Sequence, residues 1–539
     1  MKSTLTKYNI LILSLLWLLT GCVKEVTFFS EPYEEGKPPL GITFDPSQTP
    51  SPQTGGIGTI VKLKVSGLAD YRDKAVFKFN GQEAEIVSVN GDDVEVRVPA
   101  YASTGVTSIT VDDIIVFGPE FVVNGRVKID PTWEALAGAN GSVNGRLVTQ
   151  DGKVIYVGGF TDYNRRGLVR PINRIVRTFP NGIYDVSFRT GQGANGALNG
   201  IVQINDRYYI AGGFTAFGQK RDNISNIASL HLHGEVDTIG VLPYRRPDQG
   251  DTTKYVPAFN GGFNSAISQI YVQGSKLITT GNFRYYVSRR YDQPNLRETR
   301  DTVILDSTEI RHVARLNLDG TLDKTFRFSG TTALAGGNGN INTMLHEAGP
   351  HEGKILVYGE FTRFDGQPAG YVTRLNSDGT IDPTFNPSGV GADHYIQRMT
   401  YNPVTNKYVA VGSFRTYNGR PAMRMALLND DGTIDDGFQA QLFGGGNPSY
   451  AKQLDDGLIV VSGYFLSYGE VTRNRFMILN PDGNLADPTL NATGILSGTI
   501  NHIVETRSED NKRALLLMGS NLTKFDNKDV SNLIRIIID

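Results

Sequence analysis

The run Ile355-Leu356-Val357-Tyr358-Gly359-Glu360-Phe361 is followed by Arg374-Leu375-Asn376-Ser377-Asp378-Gly379 and then by Asp382-Pro383-Thr384-Phe385. The first piece is an apolar strand ended by Gly-x-Phe, the second a strand closed by an Asp-Gly turn, the third a further short element. The same order recurs along the chain. Gly-x-Phe ends a strand at Gly158/Phe160, Gly212/Phe214, Gly281/Phe283, Gly359/Phe361, Gly412/Phe414 and Gly463/Phe465, with a degenerate copy at Gly519/Leu522. Arg315-Leu316-Asn317-Leu318-Asp319-Gly320 and Leu428-Asn429-Asp430-Asp431-Gly432 repeat the second piece. Successive Phe positions lie 54, 69, 78, 53 and 51 residues apart, so two copies carry insertions.

A period near 50 built of four short strands predicts the blades of a β-propeller, because one such sheet cannot bury both faces alone. Seven copies predict seven blades. Asp130-Pro131-Thr132-Trp133 matches Asp382-Pro383-Thr384-Phe385, so the array begins in mid-blade. The terminal Asn532-Leu533-Ile534-Arg535-Ile536-Ile537 matches the strand that precedes that element, so the two ends of the array share one blade and leave no open edge. These repeats resemble the delta-60-repeat propeller family over residues 126–539, a resemblance that speaks to fold and not to chemistry.

Composition sets the frame for function. The 539 residues are 39% hydrophobic and 20% charged, enough for more than one domain. Lys+Arg number 53 against 55 Asp+Glu, a net charge of −2, so no basic footprint for nucleic acid is present. A single Cys rules out a disulfide scaffold and any Cys-based zinc site.

That cysteine belongs to the N-terminal address. Lys2 and Lys7 precede the apolar run from Ile10 to Leu19, too short to span a hydrocarbon core of ~30 Å, and the pattern predicts a secretory signal over 1–21. Leu19-Thr20-Gly21-Cys22 resembles the bacterial lipobox, which implies cleavage before Cys22, acylation of its thiol and anchoring to a membrane. Residues 22–40 hold Glu31, Glu34, Glu35, Pro32, Pro38 and Pro39 and read as an extended tether. Acidic residues after the Cys, here Glu25, resemble the surface-export signal of Bacteroidota lipoproteins, which implies an outer-membrane lipoprotein facing outward.

Between 41 and 125 the alternation in Val61-Lys62-Leu63-Lys64-Val65, Glu85-Ile86-Val87-Ser88-Val89 and Val94-Glu95-Val96-Arg97-Val98 predicts short strands, with hairpin turns at Asn80-Gly81 and Asn90-Gly91. Val76-Phe77-Lys78-Phe79-Asn80-Gly81, Ala84, Val98-Pro99-Ala100 and Thr104-Gly105 resemble an IPT/TIG domain, an immunoglobulin-like sandwich used as a spacer or interaction module. The predicted fold is therefore all-β: a small immunoglobulin-like sandwich followed by a seven-bladed propeller.

Asn317, Asp319, Thr321 and Asp323 offer oxygens at alternate positions, yet the Gly stands fourth, where a hairpin turn wants it, so no calcium is expected. His231 and His233 align with turn residues, and His346 and His351 have the wrong spacing for a zinc helix, so no metal and no cofactor is expected. An aromatic follows each motif residue by three, at Tyr163, Phe217, Tyr286, Phe364, Tyr417, Tyr468 and Phe525, and a feature of every copy serves packing. No glycine elbow, P-loop or triad spacing is present, so the chain reads as non-enzymatic, with a propeller lyase or hydrolase as the enzymatic alternative.

The departures from the repeat carry the functional expectation. Arg284 to Glu309 enlarges the third copy, between its second and third strands, and holds Tyr285, Arg289, Arg290, Tyr291, Arg297 and Arg300. Thr238 to Ala258 extends the preceding copy with Tyr244, Arg245, Arg246 and Tyr255. Aromatics and guanidinium groups are favoured at binding hot spots. The plainer reading is a solvated decoration, since Asp237-Thr238, Asp251-Thr252, Asp301-Thr302 and Asp306-Ser307 resemble Bacteroidota O-glycosylation sequons. Proteins of this build occur with SusC/SusD-type importers, which implies capture of a glycan or peptide nutrient beside such a complex; the alternative is a protein-interaction scaffold within it.

Overall fold

The computed structural model describes residues 39–169, 171–245, 248, 250, 252–293 and 304–539. The signal, Cys22 and the tether up to 38 lie outside the described residues.

Two facing sheets occupy the first part. One runs in the order Thr43–Phe44, Ile60–Ser66, Asp93–Arg97, Ile86–Asn90, the other Thr54–Gly55, Ile114–Val123, Gly105–Val111, Ala75–Phe79, Gln82–Ala84. The period-2 pattern decides what each strand buries: Val61, Leu63 and Val65 face in while Lys62 and Lys64 face water. Between the sheets the Phe77, Phe79 and Phe121 rings pack at 5.3 and 5.2 Å. Asn80 (φ 46°) and Gly81 (φ 86°) make the expected primed turn. At the other turn Asn90 stays in the strand opposite Asp93, and Gly91-Asp92 form the corner. A bulge between Ile86 and Ser88 shifts that register.

The remainder is a succession of antiparallel meanders. The first has strands Val143–Val148, Val154–Gly158 and Ile175–Thr178, the next Leu198–Ile204, Arg207–Gly212 and Ile227–His231. Then come Gln269–Gln273, Lys276–Thr280 and Val313–Leu316; Ile341–Leu345, Ile355–Gly359 and Val372–Leu375; and Ile396–Asn402, Lys407–Gly412 and Met425–Leu428. Pro448–Gln453, Ile459–Gly463 and Phe476–Leu479 precede the last sheet, of Ser497–Arg507, Arg513–Phe525 and Leu533–Ile538. Middle strands such as Val154–Gly158, Ile355–Gly359 and Ile459–Gly463 are buried throughout because neighbouring sheets cover both their faces. Val127–Ile129 pairs antiparallel with Leu533–Ile538 as the outer strand of the last sheet, so the two ends of the array meet in one sheet.

In four other sheets the expected fourth strand is one bridge long, at Thr178↔Tyr184, Leu316↔Leu322, Leu375↔Ile381 and Leu428↔Ile434. The reason is the residue that follows each bridge. Asp382 accepts from the Thr384 N–H (3.0 Å) and folds the chain into an Asx turn, while Pro383 has no N–H to continue a ladder. The same carboxylate receives Arg374 Nε and Lys354 Nζ, each at 2.7 Å. Asp323 holds Arg315 and Lys276, Asp185 holds Arg177 and Lys153, and Asp130 holds Arg535 across the closure. Each of these guanidinium groups lies 4.7–5.0 Å from the ring of Phe385, Phe326, Phe188 or Trp133.

The glycine of Gly-x-Phe has a steric cause. A Cβ on Gly158 would stand 1.9 Å from Ser142 O, and one on Gly412 would stand 2.4 Å from Tyr395 O. The chain entering each sheet crosses there, and Phe160 and Phe414, two residues on, are buried.

Sandwich and meanders touch closely. Thr104 N donates to Ala492 O and Arg126 N to Thr489 O (both 2.9 Å), and Ala492 sits in the sandwich core. Arg473 is 2% exposed and donates through Nη2 to Tyr101 O at 3.0 Å; burial lowers its pKa to about 10.

Candidate functional site

Each sheet receives its chain through a loop that runs beside its own second-to-third connection. Bridges Ala139↔Tyr163, Ala194↔Phe217, Phe263↔Tyr286, Gly337↔Phe364 and Ala392↔Tyr417 tie the two loops together, so both emerge on one face. Those aromatics are buried, and Tyr163, Tyr286, Tyr417 and Tyr468 donate to the carbonyls of turn glycines 182, 320, 432 and 483. They are packing groups.

The first insertion is a lengthened version of that connection. Tyr285–Arg290 pairs with Ile304–Glu309, where other sheets have only Arg363–Phe364 with Gln367–Pro368 or Thr416–Tyr417 with Arg420–Pro421. The second insertion is a hairpin, Thr238–Val241 with Lys254–Pro257, placed before the loop that enters the next sheet. The two meet: Tyr244 N donates to Tyr291 O at 2.7 Å. Asn260 clamps the root, donating to Arg289 O (2.8 Å) and accepting from Arg289 N (2.9 Å).

The candidate residues divide accordingly. Tyr244, Arg245, Arg289 and Tyr291 come together, all partly buried. Arg289 Nη2 donates to Ser225 Oγ at 2.8 Å, whereas its Nη1 and the Nε of Arg245 are buried without a partner among the described residues. Burial lowers the Arg289 pKa and raises that of Tyr291. Arg290 is already paired with Asp306 at 2.5 Å, and Tyr285 lies under Arg284, whose guanidinium is 5.3 Å from its ring. Tyr255 is 65% exposed on the second hairpin, its carbonyl accepting from Lys220 Nζ at 3.1 Å. Arg246, Arg297 and Arg300 lie outside the described residues. Of the sequon residues, Thr238 and Ser307 sit in strands, opposite Pro257 and Val287.

A cleft of about 760 Å³ opens beside this assembly, lined by Phe188, Phe217, Arg166, Arg189 and Lys220 among others. A second hollow of about 640 Å³ shares Pro171, Gly191 and Gly218 with it. Sequence reasoning passed over these residues because they sit at ordinary repeat positions; only the juxtaposition of two neighbouring loops makes a cleft of them.

The histidine pairs have local uses. His231 and His233 stack at 5.3 Å beside Asp237 and Glu235. His346 is buried against Tyr408, whose hydroxyl lies 2.8 Å from Nε2, and burial pushes its pKa down to about 3. Its ring lies 5.5 Å from that of His351. Among the described residues no three His, Cys, Asp or Glu side chains are grouped so as to hold a metal ion. The turn oxygens are engaged locally, Asp319 accepting from Thr321 N–H at 2.9 Å.

Residues 308–326, 353–385, 405–438 and 454–486 match the model of a family described as a beta-propeller domain of unknown function, DUF5122. No curated protein matches the chain. Among solved structures, an auxiliary nutrient binding protein from Bacteroides ovatus aligns at 14% identity over 92% of this chain and 99% of its own, with a TM-score of 0.30. Another of that description, from Bacteroides thetaiotaomicron, aligns at 11% identity over 92% and 98%, with a TM-score of 0.31. The WD40 beta propeller domain of Doa1 aligns at 12% identity over 76% and 96%, with a TM-score of 0.36. Alignments at this level leave function to be argued from the site.

Proposed function

We propose that this protein is a non-enzymatic binding protein held on the outer membrane by acylated Cys22, facing outward. In this reading an IPT/TIG sandwich presents a closed seven-bladed propeller that captures a glycan or peptide nutrient beside a SusC/SusD-type importer. The observation that carries it is the meeting of the two insertions at Tyr244 and Tyr291. Two departures from the repeat, separate in sequence, build one projection on the loop face. At its root two guanidinium groups keep N–H donors unused. Unsatisfied buried donors cost stability, about 1–3 kcal/mol each, and a ligand oxygen that accepts from them recovers that cost. Tyr291 and Tyr244 supply stacking surface, and Arg supplies planar contacts to carboxylate or hydroxyl oxygens.

The test replaces 284–309 by the short turn found at 363–368. Binding to a panel of oligosaccharides and peptides is expected to fall at least tenfold, corresponding to about 1.4 kcal/mol. Co-purification with outer-membrane partners is expected to persist. Loss of co-purification with binding intact would favour a scaffold instead, and turnover of any panel member would favour a lyase or hydrolase.

A further inference from the structure

On the axis of the ring, residues near the starts of the innermost strands converge. Asn144, Asn199, Gln269, Asn342 and Asn501 rim a cavity of about 360 Å³, and Arg398 and His502 complete its wall. In several sheets the rim position is a β-bulge, the register slipping at Asn144, Asn199, Gln397, Ser449 and Asn501. A bulge redirects a side chain out of the ordinary alternation. Here the redirected amides clip one sheet to the next: Asn144 Nδ2 donates to Leu198 O (3.0 Å), Asn199 Nδ2 to Ile267 O (2.8 Å) and Asn501 Nδ2 to Val143 O (3.5 Å). Clipping uses part of their capacity, since each amide has two donors and an acceptor. The side chains of Gln269 and Asn342 make no hydrogen bond to another described residue.

Arg398 brings charge to this polar cup. Its guanidinium lies 5.9 Å from the Tyr450 ring and among the hydroxyls of Tyr358 and Tyr271, from other sheets. No carboxylate among the described residues forms an ion pair with it. Burial works against its charge, yet the tyrosines leave its pKa above the ordinary value. His502 is neutral at physiological pH, because burial and the nearby Arg398 and Lys452 push its pKa down to about 3.

We propose that this axial cup binds a small hydroxylated carboxylate, an acidic sugar, with its carboxylate on Arg398 and its hydroxyls on the rim amides. A cup of about 360 Å³ has room for several waters, far more than a bare inorganic ion fills. A planar guanidinium suits a carboxylate, which it can hold through two parallel N–H donors. The rim offers amide donors and acceptors instead of apolar walls, which suits a polyhydroxylated body and not an aliphatic or aromatic acid. The site does not depend on the inserted hairpins.

Calorimetric titration of the full chain with galacturonate, galactose and phosphate tests this. Galacturonate is expected to bind at least tenfold more tightly than the other two. Arg398→Gln is expected to weaken it tenfold or more, as loss of a charge-assisted contact does. Asn342 is exposed, so Asn342→Asp is expected to keep the wild-type thermal midpoint while placing a repelling carboxylate on the rim, with the same loss of affinity. Replacing 284–309 is expected to leave this binding unchanged. Failure of galacturonate to bind, equal affinity for galactose or phosphate, undiminished binding by Asn342→Asp, or loss on replacing the hairpin would each overturn the proposal.

Discussion

Asp382 shows how much one side chain holds in this fold. Arg374 and Asp382 are 1% and 2% exposed, and Lys354 and Thr384 complete the cluster. Removing one partner leaves buried charge uncompensated, which costs about 3–5 kcal/mol. Asp382→Ala is therefore expected to lower stability by about that amount in urea unfolding. Burial alone would raise the Asp382 pKa, but hydrogen bonds from Lys354, Thr384 and Arg374 outweigh it and hold the carboxyl well below the usual range; Asp185 and Asp323 behave alike. A carboxylate with a depressed folded pKa stabilises the protein above its unfolded value of about 3.9 and loses that contribution as pH falls. The wild-type urea midpoint should therefore be steady down to about pH 5 and fall below it, with Asp382→Ala showing a shallower fall. Identical slopes would contradict the assignment. These residues were legible as a repeated Asp-Pro-Thr-Phe and Arg-Leu-Asn pattern, but their partnership was not. Arg374 and Asp382 are eight positions apart, and only the bridge at Leu375↔Ile381 turns one toward the other.

At the scale of elements, the sequence announced strands wherever an apolar run ended in Gly-x-Phe, because steric crossing and core packing demand those two residues at that spacing. The outer strand is shorter than the pattern predicts, because an Asx turn at the Asp cuts it to one bridge. The inner-strand bulges were not legible, since Asn, Gln and Ser alternate at that position and no hydropathy signal marks a register slip. The terminal strand was legible through its match to earlier copies. Leu533–Ile538 is buried along its length between Arg513–Phe525 and Val127–Ile129. Deleting 533–539 would expose the edges of both partners, and unpaired edges seek other strands. The truncated chain is expected to elute as aggregates in size-exclusion chromatography. A monomeric truncated chain with an unchanged melting temperature would show that the strand does not close the array.

For the whole molecule, the sandwich is more than a flexible spacer. Buried Arg473 and Ala492 join it to the last sheets of the array. The separate copies were visible in one dimension, but the functional surface is a property of three. Tyr244 and Tyr291 are brought together by closure of neighbouring loops onto one face, which no spacing in the chain records. The proposed binding surface rests on that contact, and an engineered disulfide probes it. In a chain carrying Cys22→Ser, Tyr244→Cys and Tyr291→Cys, the two new thiols are the only ones present. Bridging requires Cα atoms within about 7 Å. Mild oxidation is expected to give near-complete intramolecular disulfide, seen as loss of both free thiols and faster migration on a non-reducing gel. Thiols that stay free under oxidation would mean that the insertions stand apart, and would contradict the binding surface proposed for them.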